Sequence, residues 1–397
     1  MNAETIFAVV DLETTGTSVK DGDRMIQFGC ALMQHGKIIQ TISQLVNPDR
    51  SVPVAIQRLT GLDPNRLVAA PYFEEIAKTL HQLLTDTVFV AHNVNFDYPF
   101  LNAEFERVGL PKLQLAAIDT VELAQILLPE ISSFRLPDLT SYLQIEHDDP
   151  HQADSDAIST AKLLRQLAAR FQALPSPTQQ ALVARGSGLL RETGDYLKAI
   201  AKPLKPLKRG FVQVGPLVLR RVPTATQEFA SAAYPATDLE KRHLLQPRYR
   251  FRKAQARMMD AVFAHAQEGG PQPLFIEAGT GLGKTLGYLL PYAYVATAEH
   301  KLVVATSTLV LQSQLIQTAI PTLAAVLGRD LPAIEVKSPQ HYIDLNKFAA
   351  SLHQESPSRQ TQLLQMKLLV WLTQTTTGDL DELHLTTYRA PLFMQIR

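Results

Sequence analysis

The 397-residue sequence has one cysteine, one tryptophan and no excess of charge of either sign. The single cysteine, Cys30, excludes an internal disulfide, a cysteine-rich zinc site and an iron–sulfur cluster. Its apolar neighbours predict a packed strand residue. With 38 basic and 38 acidic residues the net charge is zero, so any contact with a polyanion depends on local basic patches.

A leader and long hydrophobic runs are also lacking. The first residues lack the basic and apolar segments of a signal peptide. The longest apolar run, Leu286 to Ala298, is interrupted by Pro291 and is too short to span a bilayer. These features predict a soluble cytoplasmic protein with no membrane partner. The length predicts about two or three domains.

An apolar run near the N-terminus, beginning at Phe7, ends in the two acids Asp11 and Glu13. Side chains alternate along a strand, so the two carboxylates are expected to point the same way. Two acids on a mostly buried strand repel each other and lose hydration unless a cation lies between them. Oxygen ligands favour Mg²⁺ or Mn²⁺. The alternative is a strand that ends in a solvated acidic turn.

Two further segments place acids near the same predicted sheet edge. An apolar strand over residues 87–91 leads into a helix with Asp97 in its first turn. Taken alone, Asp97 is an acid that compensates the helix dipole. Farther along, His151 lies in an acidic loop, Asp154 is the predicted N-cap, and Asp156 falls in the first turn of the next helix. His151 and Asp156 can therefore converge on one point, or these acids can simply solvate a loop.

These residues, in this order, resemble those of the DnaQ-like exonucleases. Three separated motifs agree, Asp-x-Glu-Thr-Thr-Gly, His-Asn-x-x-Phe-Asp and His-x-x-x-x-Asp, and they predict an exonuclease domain over residues 1–172. The resemblance implies an α/β, RNase H-like fold with a central mixed sheet flanked by helices. It also implies hydrolytic removal of nucleotides from the 3′ end of nucleic acid, with single-stranded DNA expected first and RNA not excluded.

The resemblance further implies a role for each motif residue. Asp11 would bridge two divalent ions, Mg²⁺ or Mn²⁺. Glu13 and Asp156 would hold the ion that binds the attacking water, and Asp97 would complete the second ion site. His151 would be the general base, because an imidazole with an ordinary pKa of about 6.5 can accept a proton at neutral pH.

Six other residues match family positions around the terminal nucleotide. The amides and hydroxyls at Thr14 and Thr15 would bind the 3′-OH, and Leu62 would wedge against the last base. Leu62 can equally be a core residue of an ordinary loop. The remaining three would line the same cleft: His92, Asn93 and Phe96.

Residues 173–245 are predicted to be a proline-rich, basic linker, beginning after the first domain. Basic residues occur here without an intervening acid, and they could track phosphates or form a solvated connector. These basic residues are Lys198, Lys202, Lys205, Lys208, Arg209, Arg220 and Arg221.

A glycine-rich loop in the second half follows a predicted strand over residues 273–276 and precedes a predicted helix, the order that a P-loop requires. Amides of Gly281 and Gly283 would cradle phosphate, and Lys284 would pair with the β- and γ-phosphates. Thr285 would bind Mg²⁺. The predicted ATP-binding residues are Gln255, Ala278, Gly279, Thr280, Gly281, Leu282, Gly283, Lys284 and Thr285.

Gln255 and Arg252 resemble the adenine-reading motif of superfamily 2 helicases, and residues 303–309 resemble the next strand of those proteins. Residues 246–397 are thus similar to the start of a DinG-type helicase, which implies a partial RecA-like domain. Asp344 stands where related helicases place the first iron–sulfur cysteine, so no cluster is expected. The segment Asp381 to His384 follows no buried strand, so we do not interpret it as motif II.

We therefore expect a metal-dependent 3′-5′ exonuclease joined to an incomplete helicase module that can hold ATP without hydrolysing it. The chain would be a fragment or a natural truncation. One alternative is a nucleotide-sensing or nucleic-acid-tethering module, and another is a fragment of an ATP-dependent DNA helicase. A further possibility is that ATP at Lys284 regulates the nuclease through the basic linker.

Overall fold

The structure is a computed structural model that describes residues 4–222, 233–246, 248–269, 272–297, 299–354, 358–384 and 391–397. The chain divides into two compact units. The first comprises Met1–Val222 and Gln340–Arg397, and the second comprises Pro223–Pro339.

A five-stranded mixed sheet forms the centre of the first unit. Its strands are β1 (Phe7–Thr14), β2 (Met25–Gln34), β3 (Lys37–Leu45), β4 (Val88–Ala91) and β5 (Ala117–Asp119), and their order in the sheet is β3-β2-β1-β4-β5. Strand β1 runs antiparallel to β2 and parallel to β4, and β4 runs parallel to β5. With helices on both faces, this sheet confirms the predicted RNase H-like fold.

Nine α-helices accompany the sheet in residues 4–222. They are α1 (Val54–Thr60), α2 (Pro64–Val68), α3 (Phe73–Leu84), α4 (Val94–Arg107), α5 (Thr120–Leu127), α6 (Leu136–Tyr142), α7 (Ala153–Ala173), α8 (Ser176–Val183) and α9 (Thr193–Ile200). A hairpin of β6 (Phe211–Val214) and β7 (Leu217–Arg220) follows. Alternation along β1 sends Val9 and Val10 into two different cores, one on each face of the sheet.

The predicted linker over residues 173–245 is folded for much of its length. Helices α8 and α9 and the hairpin belong to the first unit, which continues to Val222. The extended segment after α9 is held by hydrogen bonds: the Lys202 amide donates to Gln179 Oε1 (2.8 Å) and the Lys205 amide donates to Ser176 Oγ (2.8 Å). The basic residues of this stretch are therefore displayed on a packed segment.

The second unit is helical where it is described. It contains α10 (Asp238–Leu245), α11 (Lys253–Glu268), α12 (Lys284–Val295), α13 (Leu309–Gln314), a π-helical turn (Leu315–Ala319) and α14 (Ile320–Leu327). Met259, Leu289 and Leu323 are buried in its core.

The two strands predicted in the second unit, over residues 273–276 and 303–309, are not formed. Phe275 is 88% exposed and Val303 is 86% exposed. An extended segment becomes a strand only when a neighbour pairs with its backbone amide and carbonyl groups, and the described part of this unit supplies no such strand. A RecA-like sheet is therefore not present in these residues.

One helical stretch, Leu309–Leu327, is long and apolar enough to cross a membrane by length and composition, with a mean hydropathy of 1.3. Helices of soluble proteins meet the same criterion, so this stretch does not by itself assign a location. The cytoplasmic location stays a prediction.

Residues 340–397 return to the first unit, whereas the sequence had suggested that they continue the P-loop domain. They form α15 (Leu345–Ser351), α16 (Arg359–Trp371) and α17 (Pro391–Gln395). Met366 and Trp371 of α16 are buried in the same core as Leu123 of α5. Long-range packing of this apolar face explains the difference.

Two acidic segments within residues 340–397, at Asp344 and at Asp381, lie at the starts of helices. Asp344 is the N-cap of α15 and accepts hydrogen bonds from the Asn346 and Lys347 amides. Leu380–Leu383 form a short 3₁₀-helix, so the Asp381 segment does not end a strand.

Candidate active site

Strand β1 carries Asp11 and Glu13 to its C-terminal end, as predicted. In the ladder with β2, Asp11 lies opposite Gly29 and Glu13 lies opposite Gln27, and the register shifts directly after Glu13. The pairing therefore fixes both acids on a rigid strand up to the point where the regular ladder ends.

Asp97 is fixed to the same strand from α4. It is buried in the first turn of that helix, and its Oδ1 accepts a hydrogen bond from the amide of Leu12 (3.1 Å). The start of α4 is in turn held by Asp119, whose Oδ2 accepts from the Val94 amide (2.7 Å). Since Leu12 lies between Asp11 and Glu13, this contact brings a third carboxylate beside the first two.

Helix α7 supplies the fourth carboxylate, Asp156, from its first turn. The prediction that Asp154 is the N-cap of this helix is wrong. Gln152 is the N-cap, and Asp154 already lies within the helix. The physical reason is a contact with β2, in which Gln27 Oε1 accepts from the Ala153 amide (3.1 Å) and Gln27 Nε2 donates to Asp154 Oδ1 (3.4 Å). The side chain of Gln27 thus caps the helix in place of a residue of the helix itself.

His151 joins this group from the loop before α7. Its backbone is left-handed, with φ of 66°. Glu13, His151 and Asp156 each present a ligand atom within 4.8 Å of the others. The predicted convergence of imidazole and carboxylate is therefore found in the structure.

The proximity of the carboxylates changes their acidity. Burial, reinforced by the charges of Asp97, Asp156 and Glu13, raises the pKa of Asp11 well above its ordinary value. Burial followed by the charges of Asp156 and Asp97 raises the pKa of Glu13 to about 8. Burial also raises the pKa of Asp97, against the hydrogen bond from Leu12. Without a cation the cluster is electrostatically costly, and its all-oxygen character suits a hard divalent ion.

A second histidine, His147, also contacts the cluster and was missed in the sequence. Its Nε2 lies 2.6 Å from Asp156 Oδ1, and its side chain is 6% exposed. The only sequence signal was its position in the same acidic loop, four residues before His151. A loop histidine gives no indication of burial, so the pattern did not single it out.

Two of the predicted substrate-binding residues use their polar groups internally. Thr15 donates its amide to the Arg24 carbonyl (2.8 Å), and its Oγ1 accepts from the Arg24 amide (3.0 Å). Thr14 Oγ1 donates to the Gly16 carbonyl (2.6 Å). In this conformation these groups therefore shape the loop after β1, and the Thr15 amide is not free for a 3′-OH.

Leu62 and His92 are likewise built into the fold. Leu62 is buried against Ile26 and Leu67, as in the alternative interpretation of the sequence. The ring of His92 contacts Thr120 Oγ1 and the Phe134 carbonyl, both at 2.9 Å. Burial lowers the pKa of His92.

Asn93 and Phe96, by contrast, retain exposed surface at the start of α4. Asn93 is the N-cap, with φ of 84°. Phe96 is half-buried, and the centroid of its ring lies 5.8 Å from that of the Phe100 ring.

The glycine-rich loop of the second unit forms before α12 as predicted, although the described residues before it, 272–278, form no strand. Lys284 is the first residue of α12, and its Nζ donates to the carbonyls of Ala278 and Gly279, both at 3.1 Å. Gln255 Nε2 donates to the Gly283 carbonyl (2.9 Å), and Arg252 donates to the Gly281 carbonyl. The residues predicted to read adenine are thus in contact with the loop.

The other predicted residues complete the loop and the start of α12. Gly281 and Gly283 are left-handed, with φ of 74° and 86°. Thr280 and Leu282 lie in the turn, and Thr285 is in the first turn of α12.

The part of the chain that carries the carboxylate cluster is similar to a known protein family. Residues 8–164 match the family described as Exonuclease. This range contains β1 except for Phe7, strands β2 to β5, and the five motif residues. The first unit therefore contains a domain that has an RNase H-like fold and is similar to this family.

Two curated relatives extend the similarity beyond this domain. The chain is 32% identical over 393 residues to the 3′-5′ exonuclease DinG of Bacillus subtilis, and 33% identical over 383 residues to the 3′-5′ exonuclease DinG of Staphylococcus epidermidis. In each case the alignment covers 96% of this chain and 42% of the relative. The chain thus spans less than half the length of these proteins.

Among solved structures, this chain is similar to E. coli exonuclease I in complex with a dT13 oligonucleotide. The alignment covers 93% of this chain and 81% of the exonuclease I chain. The sequence identity is 17% and the TM-score is 0.41.

Proposed function

We propose that this chain is a metal-dependent 3′-5′ exonuclease that hydrolyses phosphodiester bonds from the 3′ end of nucleic acid, with single-stranded DNA as the first substrate to test. The observation that carries the proposal is the convergence of four carboxylates on one sheet edge, where burial raises the pKa of Asp11, Glu13 and Asp97. The exonuclease family match and the DinG relatives support the same activity.

In this proposal Asp11, Glu13, Asp97 and Asp156 hold two divalent ions, Mg²⁺ or Mn²⁺. Bound divalent ions supply activation of water and stabilisation of charge on the scissile phosphate and the departing 3′ oxygen. Strand β1 and the first turns of α4 and α7 already hold these carboxylates close together, so binding of the metal ions requires little rearrangement.

His151 is the proposed general base. Its ligand atom lies within 4.8 Å of those of Glu13 and Asp156, and its side chain is only partly buried. It can therefore accept a proton from the attacking water and release it to solvent. For the substrate, we assign contacts to the exposed Asn93 and the half-buried Phe96. We assign a supporting role in the walls of the cleft to Thr14, Thr15, Leu62 and His92.

The test is digestion of 5′-labelled single-stranded DNA and RNA with Mg²⁺ or Mn²⁺. Ladders that shorten from the 3′ end with the native chain, and vanish with Asp156→Ala, are expected. His35→Ala, an exposed histidine in the β2–β3 turn, is the matched control and should cleave normally. An activity that persists in Asp156→Ala at native rates would reject this site as its source.

A second proposed function is nucleotide binding by the P-loop of the second unit, in a chain that corresponds to part of a longer DinG-type helicase. The supporting observation is the Lys284 ammonium, which the carbonyls of Ala278 and Gly279 hold at the start of α12. ATP phosphates would replace those carbonyls as its partners.

Nucleotide binding is tested by titrating a fluorescent ATP analogue. Loss of a hydrogen bond to a charged group predicts a dissociation constant about 10–100-fold higher in Lys284→Ala. Lys301→Ala, an exposed lysine of the same unit, should bind as the native chain does. Equal affinities in the native chain and Lys284→Ala would exclude the P-loop as the binding site.

A further inference from the structure

His147 makes two side-chain hydrogen bonds in the wall behind the carboxylate cluster. Its Nε2 lies 2.6 Å from Asp156 Oδ1, and its Nδ1 lies 3.3 Å from Thr140 Oγ1. The imidazole is nearly inaccessible to solvent. A buried ring held at both nitrogens has one orientation, so the position of Asp156 Oδ1 is fixed with it.

The residue that contacts Nδ1 of His147, Thr140, belongs to α6. Thr140 is buried in that helix, and its Oγ1 donates to the Pro137 carbonyl (3.0 Å). The Asp156 carboxylate is therefore connected to two helices: to α7 through its own backbone and to α6 through His147. Only one of its oxygens is used in this way, and the described residues offer Oδ2 no hydrogen bond.

We propose that His147 is a positioning residue that holds Asp156 by Oδ1 and thereby directs Oδ2 to a divalent cation. The inference rests on the proposed nuclease function and adds a residue to it. Carboxylates that bind metals depend on such outer hydrogen bonds, and their loss costs about 10–100-fold in metal affinity. His147 does not itself touch the substrate or the reacting atoms.

The two histidines of the loop are thereby given different tasks. His151 lies in the cluster and can exchange a proton with a reacting water. His147 is buried behind Asp156 and has both ring nitrogens in use. Loss of His151 should lower the rate at every metal concentration, whereas loss of His147 should raise the metal concentration that the chain requires.

The experiment measures Mn²⁺ binding to the full chain by electron paramagnetic resonance, with no nucleic acid present. His147→Ala is expected to raise the Mn²⁺ dissociation constant about 10–100-fold. His147→Gln, whose amide can still donate to Asp156, should recover a large part of the affinity, and Thr140→Val should give an intermediate loss. His35→Ala is the matched control with native affinity.

Cleavage assays at rising Mn²⁺ then separate positioning from chemistry. The rate of His147→Ala at saturating Mn²⁺ is expected to return to within a few-fold of the native rate, and that of His151→Ala is not. A native Mn²⁺ affinity in His147→Ala, or a rate deficit at saturation equal to that of His151→Ala, would overturn the inference. If His147→Ala fails to fold, His147→Gln and Thr140→Val decide: native Mn²⁺ affinity in Thr140→Val then overturns it.

The binding measurement distinguishes failure of this inference from failure of the proposed nuclease. Native chain that binds Mn²⁺ but cleaves nothing rejects the nuclease, while a weakened Mn²⁺ affinity in His147→Ala still supports the positioning role. Native chain that binds no Mn²⁺ overturns the positioning role whatever the cleavage result.

Discussion

Gly29 of β2 lies directly against Ala153 at the start of α7, and a Cβ at Gly29 would overlap the Ala153 carbonyl group and the Asp154 amide. Gly29 is also the partner of Asp11 in the β1–β2 ladder. The absence of a side chain at this position therefore lets α7 approach the sheet closely enough for Asp156 to reach the other three carboxylates.

This relationship predicts that Gly29→Ala is destabilising. Overpacking against backbone, which cannot rotate away, should lower the free energy of unfolding by about 1–3 kcal/mol and shift the first turn of α7. Urea denaturation measures the stability, and the cleavage rate reports the displacement of Asp156. The control is Gly210→Ala, since a Cβ at Gly210 meets nothing within 4 Å. A Gly29→Ala chain with native stability would show that α7 does not lie so close to β2.

The second prediction concerns the electrostatic cost of the cluster. Asp11→Asn removes one of the crowded acids while keeping nearly the same shape, so the unfolding free energy without metal should not fall. Cleavage and Mn²⁺ binding should both be lost. Thermal unfolding in EDTA and a cleavage assay check the two effects together. A variant that is clearly less stable than the native chain in EDTA would contradict the conclusion that Asp11 is held at an electrostatic cost.

The raised acidities predict how stability depends on pH in the absence of metal. Burial and neighbouring charges raise the pKa of Glu13 from 4.5 to about 8, so between these values the folded chain binds more protons than the unfolded chain. Stability from this group is present below pH 4.5 and is lost as the pH rises through about 8. Asp11 and Asp97 act in the same direction.

Divalent cations should reverse this loss, because they favour the ionised carboxylates and displace their protons. The rise in melting temperature on adding Mn²⁺ should therefore be larger at pH 8 than at pH 5.5. Paired melts with EDTA and with Mn²⁺ at each pH make the measurement, and Glu13→Gln should flatten the difference. A stabilisation by Mn²⁺ that is equal at both pH values would count against proton displacement.

The features predicted correctly from the sequence are those that depend on residues close together in the chain. The strands that precede Asp11 and Asp97 follow from periodicity, the acids Asp11, Glu13, Asp97 and Asp156 follow from the motifs, and the structure brings these acids together. Gly29 and Gln27 were not recognised, because their importance comes from a contact with α7 more than 120 residues away. The strands expected beside the P-loop are absent for a related reason, since a strand requires a partner that a local pattern cannot supply.

The last prediction tests the placement of residues 340–397, which local pattern also missed. Arg359 of α16 donates to Glu122 Oε1 of α5 from Nε (3.0 Å) and Nη2 (2.6 Å). The carboxylate of Glu122 is 3% exposed, and its other oxygen accepts from the Leu190 amide (2.6 Å). Arg359→Ala would leave this buried carboxylate short of a partner, at a cost of about 1–3 kcal/mol.

Because the Arg359 side chain is half exposed, the loss should fall below that for a fully buried ion pair. Urea denaturation of the full chain measures it, and Arg58→Ala, an exposed arginine of α1, is the matched control. Adding Glu122→Gln to Arg359→Ala removes the unpaired charge and should recover part of the stability. Independent, additive effects of the two substitutions would mean that α16 and α5 are not joined in solution, and residues 340–397 would then not belong to the first unit.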